Sequence, residues 1–312
     1  MDPNRVRSNV RPTVVAQARR SIGSYDPAVA VLNITPLTPS IGAVVNGIDL
    51  AQDLADRNVE ASLKQAFLDH QVLVFRDQTL TRDQHKNFGR LFGPLHIHPS
   101  QRHDSYVGDR EVFPVEADET TVLNNGGLWH SDVSCDQKPP LGSMLLLKEA
   151  PASGGDTLFA NMYLAYESLS KPIRTLIEGL DAVHDMRQDI RHYDMEPRPG
   201  VDYPQSTHPL VVAHPDTGRK LLFCNSAFTT NIVGLSKPES KAILEMLYLH
   251  TANDPKLHCR VQWEPGTLTF WDNRCVQHYA VWDYRPQRRS GERVTIASTT
   301  PPTRPQAPSP DP

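Results

Sequence analysis

The chain has 312 residues, and its 32 lysines and arginines against 36 aspartates and glutamates give a net charge of −4. Because both signs are mixed along the chain, this composition excludes a basic surface for nucleic acid or membrane, and no apolar run approaches the ~20 residues needed to span a bilayer. The four cysteines are scattered without C-x-x-C spacing, which favours reduced thiols in the cytoplasm. The length favours one large domain. We expect a small-molecule partner and leave a homo-oligomer open.

The two ends differ from the rest of the chain. Residues 1–30 contain five arginines and a single acidic residue before Asp26, a pattern that faintly resembles an organellar transit peptide. The alternative, which we prefer, is a disordered extension over residues 1–30. Residues 301–312 are rich in proline and are also expected to be disordered, so the folded domain is predicted over residues 31–300.

Between these ends, helical periodicity, caps and apolar runs predict the elements in chain order. Helices are predicted over residues 58–70, 81–92, 162–169, 172–180 and 236–249, and strands over 31–34, 41–50, 72–75, 142–147, 157–160, 210–213, 220–224, 259–263, 267–271 and 293–298. Many short strands with turn-rich connections and helices outside them indicate a mainly β fold. We predict a jelly-roll core, or double-stranded β-helix, with flanking helices.

The sequence Trp-His-Ser-Asp at residues 129–132 contains a candidate metal site. In an extended strand His130 and Asp132 would point to the same side. A second histidine, for which His278 is the best candidate, would complete the two-histidine, one-carboxylate set that holds non-haem Fe(II). The alternative is an ordinary structural histidine beside a capping aspartate, because a bare H-x-D pattern is weak.

Several separate motifs support the metal-site hypothesis, and their order and spacing along the chain resemble those of a known family. They lie at residues 41–50, 92–99, 129–132, 154–158 and 271–274, followed by C-terminal arginines. The chain resembles the taurine dioxygenase (TauD/TfdA) family of Fe(II)- and 2-oxoglutarate-dependent oxygenases over nearly all of residues 31–300. The resemblance implies that His130, Asp132 and His278 ligate iron and that 2-oxoglutarate and O2 are co-substrates. The aspartate ligand favours hydroxylation over halogenation.

The resemblance also implies a site for the co-substrate. Arg289, eleven residues beyond His278, would bind the distal carboxylate of 2-oxoglutarate with Thr157 as hydroxyl partner. A planar guanidinium can grip a carboxylate through two parallel hydrogen bonds. Arg288 would lie on the opposite side of the strand and face solvent.

A substrate anion is expected on the other side of the metal. Arg293 has an even offset from Arg289 and so can reach the same cavity. By resemblance, Arg293, His98 and the backbone N–H of Val133 would hold a sulfonate, and Phe228 would line the pocket. Taken alone, His98 and Phe228 would more often be structural residues.

The end of the pocket that binds the amine in taurine enzymes departs from the family pattern. A tyrosine and an asparagine are replaced here by Gln101 and Gly126, although a shift of one residue would bring in Asn125, and a second pocket aromatic is replaced by Ile190. Taurine itself is therefore an open question for this chain.

The implied reaction couples oxidative decarboxylation of 2-oxoglutarate to hydroxylation of a small anionic substrate. For taurine or another alkylsulfonate, hydroxylation at the carbon bearing sulfur would release aldehyde and sulfite with succinate and CO2. An alkyl sulfate, an aryloxyalkanoate or a specialised biosynthetic substrate could be used by the same chemistry. A hypothesis of a different class is a metal-binding jelly roll without catalysis.

Overall fold

The computed structural model describes residues 32–123, 126–198 and 201–306. The extension predicted over residues 1–30 lies outside the described residues, as does Asn125. Within the described residues, no helix is both long and apolar enough to cross a lipid bilayer.

The described residues form fifteen strands and six α-helices. The strands are β1 Asn33–Pro36, β2 Ala43–Asn46, β3 Val72–Phe75, β4 Val112–Ala117, β5 Gly142–Glu149, β6 Thr157–Asn161, β7 Asp181–Asp185, β8 Gln205–Pro209, β9 Val211–Ala213, β10 Lys220–Leu222, β11 Thr229–Ile232, β12 His258–Val261, β13 Leu268–Asp272, β14 Val276–Ala280 and β15 Arg289–Ile296. The helices are α1 Arg57–His70, α2 Arg82–Arg90, α3 Met162–Glu167, α4 Lys171–Ile177, α5 Met186–His192 and α6 Lys237–Asn253.

The largest sheet has seven strands in the order β1-β2-β3-β13-β5-β15-β4. Its central strands β3 and β13 are buried on both faces, and alternate residues of each strand point to opposite sides. In β3, Val72 and Val74 join the inner core, whereas Leu73 and Phe75 pack on the outer side with apolar residues of α1 and α2. The helices therefore cover the outside of this sheet.

The inner face of the large sheet packs against a three-stranded sheet of order β12-β6-β14. Leu145 and Leu147 of β5 share one core cluster with Phe159 of β6, Val261 of β12 and Val276 of β14. Two further small sheets, β11-β7-β8 and β10-β9, contribute to the same cluster. The structure thus confirms the mainly β prediction with helices outside packed sheets.

Local signals explain where helices begin. Thr81 precedes α2, as the sequence predicted, and the structure adds a reciprocal capping box with Gln84. The first helix begins earlier than predicted, because Asp56 rather than Asn58 is its N-cap and accepts a hydrogen bond from the Asn58 N–H. Helix α6 continues to Asn253, beyond the predicted end at residue 249.

Residues 301–306 correct the predicted disorder of the proline-rich tail. Thr303 forms an antiparallel bridge with Ala213, and the Ala213 N–H donates to the Thr303 carbonyl at 2.9 Å. Arg304 donates to the Glu178 carbonyl and forms an ion pair of 2.7 Å with Asp181. Proline lacks an N–H donor, but the residues between the prolines supply enough contacts to fix this segment. Residues 307–312 lie outside the described residues.

Candidate metal and substrate site

The two candidate metal histidines form a cross-strand pair. The His130 N–H donates to the His278 carbonyl at 3.1 Å, and the His278 N–H donates back to His130 at 2.8 Å. The extended strand predicted through residues 129–132 is wrong beyond His130, which forms only an isolated bridge before Asp132 enters a turn. The chain leaves the sheet here because Val133 has a left-handed backbone, with φ of 46°. Contact with His278 and this turn, rather than strand alternation, bring the three side chains together.

The ligand atoms of these residues converge on one point. His130 Nε2 and His278 Nε2 lie 3.8 and 3.9 Å from Asp132 Oδ1, distances too long for hydrogen bonds. His130 Nδ1 lies 2.7 Å from the Leu128 carbonyl, which can only accept, so Nδ1 carries the proton. The Nε2 lone pair of His130 is therefore free to bind a cation, in the manner usual for metal-binding histidines.

Electrostatics favour a charged Asp132 carboxylate beside a neutral His278. Burial alone would raise the pKa of Asp132, but the guanidinium of Arg293 and the two histidines hold it below its usual range. Burial, with the nearby His130, lowers the pKa of His278 well below its usual value. A carboxylate with neutral imidazole nitrogens is a donor set that fits Fe(II).

A second group of potential ligands, His214, Asp272 and Cys275, is also buried within the described residues. Its carboxylate already has a cation, because Arg274 donates to both oxygens of Asp272 at 2.8 and 2.7 Å. His214 lies 3.1 Å from the same carboxylate, and its Nδ1 accepts two backbone N–H groups. This group is a structural ion-pair network rather than a metal site.

Arg289 lies on one side of the metal residues. It is 6% exposed, and its guanidinium lies 5.4 Å from the ring of Trp263, whose indole N–H donates to the Thr157 hydroxyl at 3.0 Å. Its Nε has no hydrogen-bond partner, and no carboxylate in the described part of the chain forms an ion pair with it. A buried cation without an anion costs several kcal/mol, so this guanidinium is suited to bind an anionic ligand. Arg288 instead points outward and contacts Glu149 at 3.1 Å.

Arg293 and His98 lie on the other side, where Phe113 packs against both. The Arg293 guanidinium is 4.8 Å from the Phe113 ring, and the His98 ring centroid is also 4.8 Å from it. Arg293 donates to Asp132 Oδ1 at 2.6 Å. Burial and the charge of Arg293 lower the pKa of His98 to about 3. Since His98 Nδ1 accepts from the Ser100 N–H, its single proton resides on Nε2, which is left as a donor.

Val133 and Phe228 form part of an apolar wall beside the histidines. Both are buried in one cluster with Met186, and Ile190 packs against that cluster. The Phe228 ring lies 6.4 Å from the His130 ring. Among the described residues, no acceptor lies within hydrogen-bond distance of the Val133 N–H. An apolar surface therefore adjoins a free backbone donor.

Comparisons with known proteins agree with this geometry. The sequence profile described as "Taurine catabolism dioxygenase TauD, TfdA family" matches residues 33–295. The chain belongs to this family. Membership assigns to it the Fe(II)- and 2-oxoglutarate-dependent dioxygenase chemistry predicted from the sequence, with O2 as co-substrate. It also confirms the jelly-roll core.

Named relatives of this TauD/TfdA family member include two enzymes that act on sulfur compounds. It is 34% identical to the "Alpha-ketoglutarate-dependent sulfonate dioxygenase" of Saccharomyces cerevisiae, over 88% of this chain and 68% of the relative. It is also 34% identical to the "Alpha-ketoglutarate-dependent sulfate ester dioxygenase" of Pseudomonas putida, over 88% of this chain and 92% of the relative.

Solved structures show the same fold. A putative alpha-ketoglutarate-dependent taurine dioxygenase from Burkholderia xenovorans superposes with a TM-score of 0.75 at 34% identity, covering 88% of this chain and 92% of that one. AAD-2 in complex with Mn(II) and N-oxalylglycine superposes with a TM-score of 0.74 at 26% identity, covering 88% of this chain and all of the other.

The positions where this family member departs from the taurine pattern have other roles in the structure. Gln101 is buried, and its amide donates to the Tyr106 hydroxyl at 2.7 Å and to the Val112 carbonyl at 2.9 Å. It fixes a loop and leaves its amide nitrogen no spare donor for substrate. Gly126 offers no side chain, although its α-carbon lies near the His130 ring.

The sequence analysis missed one acidic residue near the site, Asp189 on α5. Burial raises its pKa, and the charges of His130 and His192 only partly offset this. Within the described residues its carboxylate forms no hydrogen bond or ion pair. It precedes Ile190, which lines the apolar wall.

Proposed function

We propose that this dioxygenase hydroxylates an alkylsulfonate at the carbon bearing sulfur. One atom of O2 enters the substrate and the other enters succinate, while 2-oxoglutarate loses CO2. The hydroxylated carbon then breaks its bond to sulfur, giving aldehyde and sulfite. The names of the sulfonate and sulfate ester relatives support a sulfur oxyanion as the group recognised.

The observation that carries this proposal is the pair of guanidinium groups on β15. Arg293 pairs with Leu145, an inner-face residue, in the register of β15 and β5, and Arg289 lies four residues earlier on the same strand. Strand β15 thus directs both guanidinium groups to its inner face; Arg289 has no carboxylate partner in the described residues, whereas Arg293 also donates to Asp132 Oδ1 at 2.6 Å. Two separate anions, the co-substrate and the substrate, match this arrangement.

We assign His130, Asp132 and His278 as ligands of Fe(II), which supplies the oxygen-activating chemistry when bound. Arg289 would hold the distal carboxylate of 2-oxoglutarate through a bidentate contact. The Thr157 hydroxyl oxygen already accepts from the Trp263 indole N–H, so the hydroxyl proton would be donated to the same carboxylate. These contacts orient the keto acid before the reaction begins.

The substrate anion would lie among donors from three directions. These donors are the Arg293 guanidinium, the Nε2–H of His98 and the free N–H of Val133. A sulfonate has three acceptor oxygens in a tetrahedral arrangement, which suits donors that do not share a plane. Phe228 and Val133 would exclude water from the carbon that is hydroxylated.

The other end of the substrate would face Asp189. An unpaired carboxylate favours a cationic or hydrogen-bond-donating group, so we propose an aminoalkylsulfonate in preference to a plain alkyl chain. This contact replaces the amine-binding residues that are absent at Gln101 and Gly126.

A substrate panel tests this function. Purified enzyme with Fe(II), ascorbate and 2-oxoglutarate is given aminoalkylsulfonates, alkylsulfonates, alkyl sulfates and aryloxyalkanoates, and succinate and sulfite are measured together. We expect equal amounts of the two products with a sulfonate and none with His278→Ala. Asp189→Asn should lower kcat/KM for the aminosulfonate about tenfold relative to the unsubstituted alkylsulfonate. Succinate coupled only to sulfate or phenol release would overturn the sulfonate assignment and leave the dioxygenase assignment standing.

We also propose that the enzyme is cytoplasmic, consists of one catalytic domain over residues 31–300 and has no nucleic-acid or membrane partner. All four cysteines are free and buried, as expected in a reducing compartment. The mixed surface charge and net charge of −4 offer no basic field for either partner.

A further inference from the structure

The segment that carries the candidate metal ligands has no neighbouring strand to pair with at Asp132. His130 is paired with His278, but Asp132 has already left the sheet and lies in a turn. Its backbone N–H and carbonyl are buried, and buried backbone groups need partners. The side chain of one residue, Asn273, supplies both.

Asn273 binds Asp132 as a neighbouring strand would. Its Oδ1 accepts from the Asp132 N–H at 2.6 Å, and its Nδ2 donates to the Asp132 carbonyl at 2.9 Å. The same Nδ2 donates to the Pro140 carbonyl at 3.1 Å. The amide therefore fixes the backbone of Asp132 in both directions along the chain.

The position of Asn273 links the two halves of the site. It is fully buried in the turn between β13 and β14, and its own N–H donates to the Leu141 carbonyl at 3.0 Å. Strand β14 carries His278. One side chain thus ties the turn that carries Asp132 to the connection that leads into β14, the strand with the second histidine.

A second contact selects which carboxylate oxygen faces the cation. The Ser143 hydroxyl donates to Asp132 Oδ2 at 2.7 Å, while Oδ1 is the atom near both histidine nitrogens. With Oδ2 engaged, Asp132 can offer only Oδ1 to an ion, and the Arg293 guanidinium, which donates to Oδ1 at 2.6 Å, would have to release that atom. One-oxygen binding leaves coordination positions open for a bidentate acid and O2.

We propose that Asn273 is the positioning residue that holds Asp132 for metal binding, and that Ser143 sets binding through a single oxygen. The inference rests on the proposed metal role of Asp132. Neither residue touches substrate in this arrangement; both act through the aspartate. Residues that orient metal ligands commonly change metal affinity by about 10- to 100-fold when replaced.

The test measures metal binding rather than turnover. Co(II) is titrated anaerobically into wild type, Asn273→Ala and Asn161→Ala, with the visible absorption of bound Co(II) and the metal-induced rise in Tm as readouts. Asn161 is a matched control, because it is 2% exposed and its amide donates to the Ser40 carbonyl and the Gln71 side chain, away from the metal residues. Both variants should lower the Tm of the metal-free protein.

Asn273→Ala should raise the Kd for Co(II) at least tenfold and alter the absorption spectrum, whereas Asn161→Ala should change Kd less than twofold. Equal affinities in the two variants would overturn the inference while wild-type binding still supports the proposed function. A wild type that binds no Co(II) would instead overturn the proposed function. If Asn273→Ala does not fold, the Kd of Ser143→Ala for Co(II) tests the proposal instead. This variant keeps the contacts of Asn273 with the Asp132 backbone and should still weaken Co(II) binding severalfold. An unchanged Kd in Ser143→Ala would refute the proposal.

Discussion

Replacing Arg289 by methionine should stabilise the ligand-free protein and weaken its binding of 2-oxoglutarate. Arg289 is buried, and its guanidinium has no carboxylate partner in the described residues. Burial lowers its pKa, as expected for a cation that water no longer solvates. The two effects have opposite signs because the cation is unfavourable in the empty protein and favourable with an anion beside it.

The sizes of both effects follow from the structure. An unpaired buried charge costs several kcal/mol, while methionine keeps the apolar stem and loses a cation–π contact with Trp263 of about 0.5–1 kcal/mol. A net gain of about 1–3 kcal/mol is expected, which raises Tm by a few degrees. Removing one partner of a buried ion pair costs about 3–5 kcal/mol, so the Kd for 2-oxoglutarate should rise roughly 10²- to 10³-fold.

Thermal unfolding of the metal-free protein and calorimetric titration of the Fe(II)-free, Mn(II)-loaded protein with 2-oxoglutarate measure the two quantities. Arg288→Met is the control, because Arg288 lies on the same strand edge with 62% side-chain exposure and one surface ion pair with Glu149. It should change either free energy by less than about 0.5 kcal/mol. A lower Tm together with unchanged 2-oxoglutarate affinity in Arg289→Met would show that Arg289 has a structural role and that the co-substrate lies elsewhere.

Two further predictions concern stability. Burial lowers the pKa of the fully buried His85 to about 4, so the unfolded chain binds a proton at this residue before the folded chain does. The free energy of unfolding should therefore fall by up to about 3 kcal/mol as the pH drops from about 6.5 towards 4. His85→Leu should reduce the slope of the urea-unfolding free energy against pH in that window, and an unchanged slope would contradict this. In Gly291→Ala the new Cβ would lie less than 3 Å from the backbone oxygen of Leu146, so β15 must move and both Arg289 and Arg293 with it. We expect a loss of several kcal/mol with weaker binding of co-substrate and substrate, and a variant of wild-type Tm and KM would refute it.

Elements with strong local signals were predictable from the sequence. The continuous apolar run of β3 was placed at its observed limits, and Thr81 marked the start of α2. The sequence analysis did not predict β4, β7, β8, β11, β14 or α5. Strand β4 contains Pro114 and, after the buried Val112, alternates partly buried with exposed residues, and β8 is mostly polar. Such strands form because neighbouring strands pair with them, which local propensity cannot register.

The candidate metal residues were identified from motif order, and the structure places them together. Their geometry was not predictable in the same way. The sequence suggested that strand alternation aligns His130 with Asp132, but a left-handed Val133 and the side chain of Asn273 do this instead. A side-chain amide that substitutes for a strand leaves no periodic signal, so local patterns could not indicate it.

The two ends of the proposed substrate site differ in how far the sequence determines them. Arg289 and Arg293 lie on one regular strand, where an even spacing places both on the inner face. The opposite end is built from the seven-residue α5 and from segments without regular structure, where spacing does not fix side-chain direction. The positions of the two arginines could therefore be inferred from strand spacing, whereas those of Asp189 and Ile190, which we propose face the rest of the substrate, could not. Substitutions at these two positions should alter which substrates are accepted while leaving the metal residues and Arg289 undisturbed.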